Sequence, residues 1–506
     1  MVTNAQHEVI LAENRMLKAE LAELRRVVFA RRSERFIPVS AEQPGLFDEV
    51  DQGPIHADED VVQKTKTEKP KPPGRNPLPQ HFEVVTEIIA PNYPPGADAL
   101  NEQGESISPT PDHLELDGHV LIGFEHSRRV AIRPTEYYII EQKRPKYRNL
   151  ATGEITVAHA PDRVLARSLA DETLATDIIV KKCLDHLPLY RQAAALKRDH
   201  DWTFSRATMG KIVERVAVTL RPLYDKLVES VLASDYLQMD ETRCPVQSSD
   251  KPGKLHLGQM WLVRDPRSGQ VIYRYDKGRS AQLPTTVLTG FNGVLQTDGH
   301  SSYTKALKTL GAQGQTIRQV GCLAHIRRYF FKALASNPEV GPVLKVIQQM
   351  YALEATWAEL SPNERLAERK VELAPVFDKM TKWLTQWEHR SIPGTLTGKA
   401  IGYALRQWPS LGVVLEDGRI KLDNNGVEND VRPYAIGRKN YLFAGNHGAA
   451  QNLAVLYSLL LCCRAVDVNP RDWLNDTLKR ILSHPVSQIG DLLPSNYVGT
   501  KQDVVG

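Results

Sequence analysis

The sequence is short of cysteine: five are present, Cys183, Cys244, Cys322, Cys462 and Cys463, odd in number and without a CxxC pair. That argues against a disulfide framework and against a cysteine-built zinc site, and it points to a reducing compartment. Long apolar runs are also missing. The longest, around Leu453 to Cys463, is too short to span a bilayer, and a charged N-terminus does not resemble a secretory leader. A cytoplasmic protein without a membrane partner is expected. A dominant sign of charge is absent as well: 64 Lys and Arg stand against 60 Asp and Glu, a formal +4. Nothing global demands nucleic acid, so any such surface must come from local clustering. What remains, 42% apolar and 25% charged residues in 506, is an ordinary globular composition and too much chain for one core. The length suggests about three or four domains.

Residues 1–37 read as a leucine-zipper-like, coiled-coil helix. Ile10, Leu17 and Leu24 share one heptad position, and Asn14, Leu21 and Val28 share the other apolar one. A polar Asn14 in the seam favours a defined register and two strands, so a homodimer or higher homo-oligomer is expected through this helix. An amphipathic helix packed on its own domain fits the same spacing. Residues 38–80 turn polar and rich in proline and lysine; KTKTEKPKPPGRNPLP cannot bury a core and reads as an extended linker. Residues 81–163 alternate FEVVTEII, HVLIGFEH and VAIRPTEYYIIEQ with turn-rich stretches, the pattern of a small β-rich module.

Residues 164–233 change to helical texture. One helix is expected over Asp171 to Leu184 and another after HLPLYRQ to about Lys197. The turn DHDWTFS then leads, with Ser205 as N-cap, into a helix with Met209, Ile212, Val213 and Val216 on one apolar face. Helix, short turn and capped helix outline a helix-turn-helix, which would expose Arg206, Thr208 and Lys211 at the start of a recognition helix. Two ordinary packed helices share that outline.

Residues 234–335 bring strands: LQMDET, GQMWLVRD and VIYRYD, the last two joined by the turn DPRSGQ. A short helix around Ala281 to Leu288, GVLQTDG, a helix from near Ser302 and RQVGCLAH follow. Three strands, helix, strand, helix, strand is the order of an RNase H-like fold. Residues 336–416 interrupt it with a helical insertion in which Val343, Val346, Ile347, Met350, Leu353, Trp357 and Leu360 recur at three- and four-residue intervals. Residues 417–468 close the domain, with a nearly all-apolar helix from about Ala449 that should be buried. Residues 469–506 hold a last amphipathic helix, begun by Pro470, and a tail.

Three carboxylates stand out. Asp240 ends LQMD, Asp298 ends LQTD, and Glu428 lies near a helix start in LDNNGVENDVRPYAIGRKNY. Asp423 or Asn424 would cap that helix, placing Asn424, Glu428 and Arg432 on one face. Two strands and a helix bearing carboxylates can hold two Mg2+ or Mn2+ ions, hard cations that take oxygen ligands, for phosphoryl transfer. Taken singly each acid has a plainer reading, as a strand-end or turn residue or as a surface partner of Arg432. Glu241 would point to the other strand face and Asp430 lies roughly 200° around the helix, so neither replaces its neighbour. His325, Arg327 and Arg328 in CLAHIRRYF, and Arg438 and Lys439 in IGRKNY, are candidate phosphate contacts. A structural His325 and solvated charge at Arg438 and Lys439 are the competing readings.

The combination MDET, LQTDGHSSY, GCLAHIRRYF and DNNGVENDVRPYAIGRKNYLFAGNHGA resembles the IS66 family of insertion-sequence transposases, and FARRSERF and HLPLYRQ are similar to that family's upstream segments. The resemblance implies a DDE-type enzyme that binds the terminal inverted repeats of its element and catalyses metal-dependent cleavage and strand transfer. It also implies Asp240, Asp298 and Glu428 as the triad, double-stranded DNA as partner, accessory proteins of the same element, and nucleoid association in a bacterial cytoplasm. A nuclease or integrase relative, or a DNA-binding regulator with an inactive catalytic domain, are the alternatives. The family's zinc module ends in a Lys-Tyr-x-Cys-x-x-Cys-like pattern, whereas here the stretch reads RPKYRNLATG. A module of like position without structural zinc is therefore expected.

Overall fold

The computed structural model describes residues 78–80, 82–89, 99–100, 106–107, 119–133, 136–166, 168–247 and 253–497. The heptad segment at 1–37, most of the linker at 38–80 and the tail beyond 497 lie outside the described residues. The described chain is mixed α/β and divides into two compact units, one drawn from Pro73–Ser234, Asp240–Arg279 and Val427–Gly506, the other from Asp235–Met239 and Ser280–Gly426.

The first unit opens with a sheet. Strand Glu136–Asn149 pairs antiparallel with His119–Arg133 and Ile155–Val157, and parallel with Glu83–Ile88. The two central strands are 15 and 14 residues long, longer than the short runs the sequence suggests, because polar His126 to Arg129 interrupt the apolar pattern without interrupting the ladder. Four helices follow. Asp171 caps Glu172–Cys183 by accepting from the Thr173 and Leu174 amides, and Ser205 caps Arg206–Thr219 as expected. Met209, Ile212, Val213 and Val216 are buried on that helix. The helix between them begins at Leu189 and runs to His200, so LYRQ is helical rather than part of the turn. Pro188 occupies its N-cap position, where a missing amide hydrogen leaves no bond unmade. Arg221–Leu232 is the fourth.

In the same unit Leu255–Arg264 and Val271–Asp276 form the expected hairpin, Arg264 opposite Val271. Asp265 shapes its turn by accepting from the Arg267 and Ser268 amides. Helix His447–Ala465 is buried over most of its length from Ala450 to Cys463, and its Ser458 hydroxyl accepts from the Tyr273 amide at 2.7 Å. Helix Pro470–Arg480 completes the unit, with Pro470 in its first turn. No described helix is long and apolar enough to cross a membrane.

The second unit holds strands Gly293–Gln296 and Ile317–Val320, parallel to each other, and the helices that follow them. Tyr236–Gln247 is divided between the units; its beginning pairs parallel with Gly293–Gln296, Tyr236 opposite Val294 and Gln238 opposite Gln296. The strand order of the larger sheet is 317–320, 293–296, 236–247, 255–264, 271–276. Helices Gly341–Thr356, Pro362–Glu368, Ala374–Glu388 and Leu396–Leu411 make up the interrupting segment. The apolar faces of Gly341–Thr356, Ala374–Glu388 and Leu396–Leu411 share one core with Tyr236, Val320, Leu323, Ile326 and Phe330, whereas Pro362–Glu368 has no buried residue.

Candidate active site

Asp240 and Asp298 follow equivalent positions of two paired strands. Gln238 lies opposite Gln296 in parallel register, and each glutamine is followed two residues later by its aspartate. Asp240 does not end its strand, which continues to Gln247; the polar run Asp240 to Arg243 hides that continuation. The Asp240 Oδ1 accepts from the Glu241 amide at 2.8 Å. Asp298 lies two residues beyond Gln296, where its Oδ1 accepts from the His300 amide at 2.8 Å and its carbonyl accepts from the Tyr403 hydroxyl. Gly299 has φ +75, and a Cβ there would meet the end of the Gln407 side chain. The positive φ is what favours glycine at this turn. Both aspartates are half-buried.

Behind these strand ends lies a buried amide network. The Gln296 Oε1 accepts from the Tyr236 hydroxyl at 2.6 Å and from Gln238 Nε2 at 2.8 Å. Its Nε2 donates to the carbonyls of Gly321 and Lys421 at 3.1 and 2.8 Å. Gln238 also donates to the Asp423 carbonyl at 3.0 Å, and the Lys421 amide donates to the Tyr236 hydroxyl at 3.1 Å. Segment 421–423, which leads into the Glu428 helix, is thereby tied to both strands.

That helix spans Asn425–Tyr441. Asp423, rather than Asn424, supports its start: the Asp423 carboxylate accepts from the Asn425 amide at 3.0 Å, the Asn425 side chain at 2.9 Å and the Tyr351 hydroxyl at 2.7 Å. Burial pushes the Asp423 carboxyl pKa up, against these bonds. Asn424 is fully buried, and among the described residues neither its amide oxygen nor its nitrogen has a hydrogen-bond partner. Glu428 is 9% exposed and Arg432 half-buried.

The neighbouring acids have other partners. Glu241 accepts from Arg279 Nε at 2.7 Å, and Asp430 pairs with Arg264. Arg438 donates to the Thr242 hydroxyl at 3.1 Å and to the Arg243 carbonyl, bracing the strand that carries Asp240, while Lys439 is exposed. His325, Arg327 and Arg328 lie on helix Leu323–Leu334. Burial, helped by Arg328 and Lys332, pulls the His325 pKa down to about 3, so its imidazole is neutral at physiological pH. The Arg327 guanidinium sits 5.8 Å from the centre of the Phe331 ring. Arg206 and Lys211 are exposed and Thr208 half-buried at the start of their capped helix.

Asp240, Glu428, Arg432, Arg438 and Lys439 thus belong to one unit, and Asp298, His325, Arg327, Arg328 and Asn424 to the other. Sequence reasoning missed Tyr236, Gln238, Gln296, Tyr351 and Tyr403. One signal for the glutamines was present: LQMD and LQTD repeat a Leu-Gln-x-Asp pattern on two strands.

Residues 167–452 match the family described as Transposase IS66 family. Residues 16–86 match the Transposase C of IS166 homeodomain, and 458–495 the IS66 C-terminal element. The uncharacterized protein y4qI of Sinorhizobium fredii is 33% identical, covering 97% of this chain and 90% of that one. The uncharacterized protein y4jD of the same organism is 30% identical over 97% and 95%.

Proposed function

The chain belongs to the IS66 transposase family, and from that premise we propose that it is a DDE-type transposase with an RNase H-like catalytic domain. It binds the terminal inverted repeats of an insertion sequence and catalyses metal-dependent DNA cleavage and strand transfer, with Asp240, Asp298 and Glu428 as its triad. The observation that carries the reading is the parallel pairing of Gln238 with Gln296. It sets two LQxD strands in register, so that each delivers its aspartate at the same step beyond the pair. Numbering the sheet's strands by chain order gives 5-4-1-2-3, which agrees with an RNase H-like fold interrupted after its fifth strand.

The donors suit a hard divalent cation. All three are carboxylates, and hard cations such as Mg2+ take oxygen ligands. Fully buried Asn424, with both amide atoms unpartnered among the described residues, stands four residues before Glu428 and can orient a carboxylate or a phosphate oxygen. Two Mg2+ or Mn2+ ions bound there would supply activation of the attacking oxygen and stabilisation of the leaving one. The chain's own part is positional. Asp423 and the glutamine network fix the start of the Glu428 helix, and Gly299 supplies the positive φ of the turn after Asp298. In this reading Arg327, Arg328, Arg432 and Lys439 would hold phosphates. Neutral His325 can accept or donate a hydrogen bond without adding charge, and Arg206, Thr208 and Lys211 would read the element end. Assembly through the N-terminal helix and help from accessory proteins belong to the same proposal.

Incubation with labelled element ends, target DNA and magnesium tests it. Strand-transfer products are expected; cleavage alone would favour a nuclease, and a shift without cleavage a DNA-binding regulator. Asp240→Asn should abolish products and keep the shift, and products that persist would sink the assignment of the triad.

A further inference from the structure

The two long strands of the first sheet carry an excess of basic charge. Strands His119–Arg133 and Glu136–Asn149 carry seven Lys and Arg against three Glu. That net +4 equals the formal charge of the whole protein. Most of the seven are occupied. Buried Glu141 holds Arg128 at 2.6 Å and Lys143 at 3.8 Å, Glu87 takes Arg129 at 3.4 Å, and Glu125 takes Arg144 at 2.8 Å. Lys146 and Arg148 have no acidic partner among the described residues.

The outer end of the ribbon presents them together. Along one face of strand Glu136–Asn149, Ile140 and Gln142 are buried, Arg144 and Lys146 half-buried and Arg148 exposed. The opposite face stays covered, with Pro145 and Tyr147 buried. Across the ladder Lys146 faces Gly123, whose φ of +150 marks the bulge between Leu121 and Gly123, so no side chain stands opposite it. On the other flank Arg148 pairs with Ile155, which is 59% exposed. Alternate residues of a strand are about 6.7 Å apart, so the two cations form a short row on a strand paired on both sides, with Lys146 half-buried and Arg148 exposed among the described residues.

We propose that this outer face is a DNA contact separate from the helix-turn-helix, in which Lys146 and Arg148 each neutralise a phosphate of duplex DNA without reading sequence. A β-ribbon fits against a duplex groove, and these strands are paired along their length. The inference rests on the proposed DNA-binding function.

The test uses the full-length protein and a fluorescein-labelled duplex of arbitrary sequence, with affinity followed by anisotropy as salt rises from about 50 to about 200 mM. Each phosphate contact contributes a slope of about 0.9. The double variant Lys146→Gln, Arg148→Gln should therefore lose about 1.8 from the slope, and wild-type affinity should fall about 12-fold more than the variant's across that range. An unchanged slope in a variant with wild-type thermal unfolding overturns the inference while leaving the transposase reading intact. Failure of the wild type to bind duplex at all overturns both. As a second measurement, DNA should protect Lys146 from acetylation in a mass-spectrometric footprint. Equal labelling with and without DNA, or protection by single strands alone, contradicts the proposal.

Discussion

Gln296 is the centre of the amide network, and replacing it with leucine keeps the side-chain bulk while removing every bond its amide makes. The residue is completely buried. Two of its four bonds end on the carbonyls of Gly321 and Lys421, each of which loses that donor; the Tyr236 hydroxyl and Gln238 keep bonds to Lys421 and Asp423. A buried polar group left without a partner costs about 1–3 kcal/mol, so Gln296→Leu should destabilise its unit by about 2–6 kcal/mol. Urea unfolding followed by tryptophan fluorescence reads this unit preferentially, because Trp357, Trp383, Trp387 and Trp408 lie in it and Trp202, Trp261 and Trp473 do not. The midpoint should fall at unchanged slope. Strand transfer should fall too in conditions where the variant remains folded, because the carbonyl tie to segment 421–423 is lost. A loss below about 1 kcal/mol would mean that water or neighbouring donors replace the amide, and would refute the claim that the network sets the site.

Three further outcomes follow from the same geometry. Glu241→Gln and Asp430→Asn should keep strand transfer, because these acids serve Arg279 and Arg264; at Asp430 a stability loss of about 1–3 kcal/mol is expected, and loss of chemistry with the fold intact would show that the triad is misassigned. Burial raises the Asp423 carboxyl pKa above its ordinary value, so the native state keeps this proton to higher pH than the unfolded chain does. Its contribution to stability is present in full below the unfolded pKa and is lost as pH rises through the folded one, with a slope of at most about 1.4 kcal/mol per pH unit. Asp423→Asn should flatten that part of the profile in acid-range urea titrations, and an unchanged profile would locate the dependence elsewhere. Finally, metal analysis of dialysed protein should find far less than one zinc per chain, and a stoichiometric zinc would overturn the reading of the cysteine-free module.

Periodicity made the helices and the 255–276 hairpin legible, because Asp265 and Gly269 form a turn whose chemistry is local. The Ser205 cap and the buried His447–Ala465 helix were legible for the same reason. The length of strand Tyr236–Gln247 was not, since LQMDET read as a short strand and the polar run Asp240 to Arg243 hides its continuation. What sustains the strand there is distant in sequence: Arg438 donates to Thr242 and to the Arg243 carbonyl, and Val246 bridges to Ala444. The proposed carboxylates could be chosen by type and by family motif, but the bonds around them could not. Gln238 and Gln296 look like ordinary strand residues until the register sets them side by side, and Tyr351 looks like one more apolar position of a helix until its hydroxyl meets Asp423.

The helical insertion is more than a spacer between the second and third carboxylates. Its core residues Ile347, Met350, Phe377, Ala404 and Leu411 pack in one cluster with Tyr236, Val320 and Leu323, so it cannot be lifted away without uncovering the sheet. Its return to the sheet is guided by fully buried Arg369, which binds both oxygens of Glu354 at 2.6 and 2.8 Å and donates to the carbonyls of Val414, Asp417 and Ile420. One residue after Ile420 the chain enters the glutamine network, and five residues after Ile420 the Glu428 helix begins. A continuous run of restraints therefore leads from the insertion to the helix start. Arg369→Met would leave Glu354 without its guanidinium and three carbonyls without a donor, a loss of about 3–5 kcal/mol. It should reduce strand transfer although no proposed ligand is altered. Full activity in this variant, or in a protein lacking 336–416, would show that the start of the Glu428 helix is positioned without the insertion.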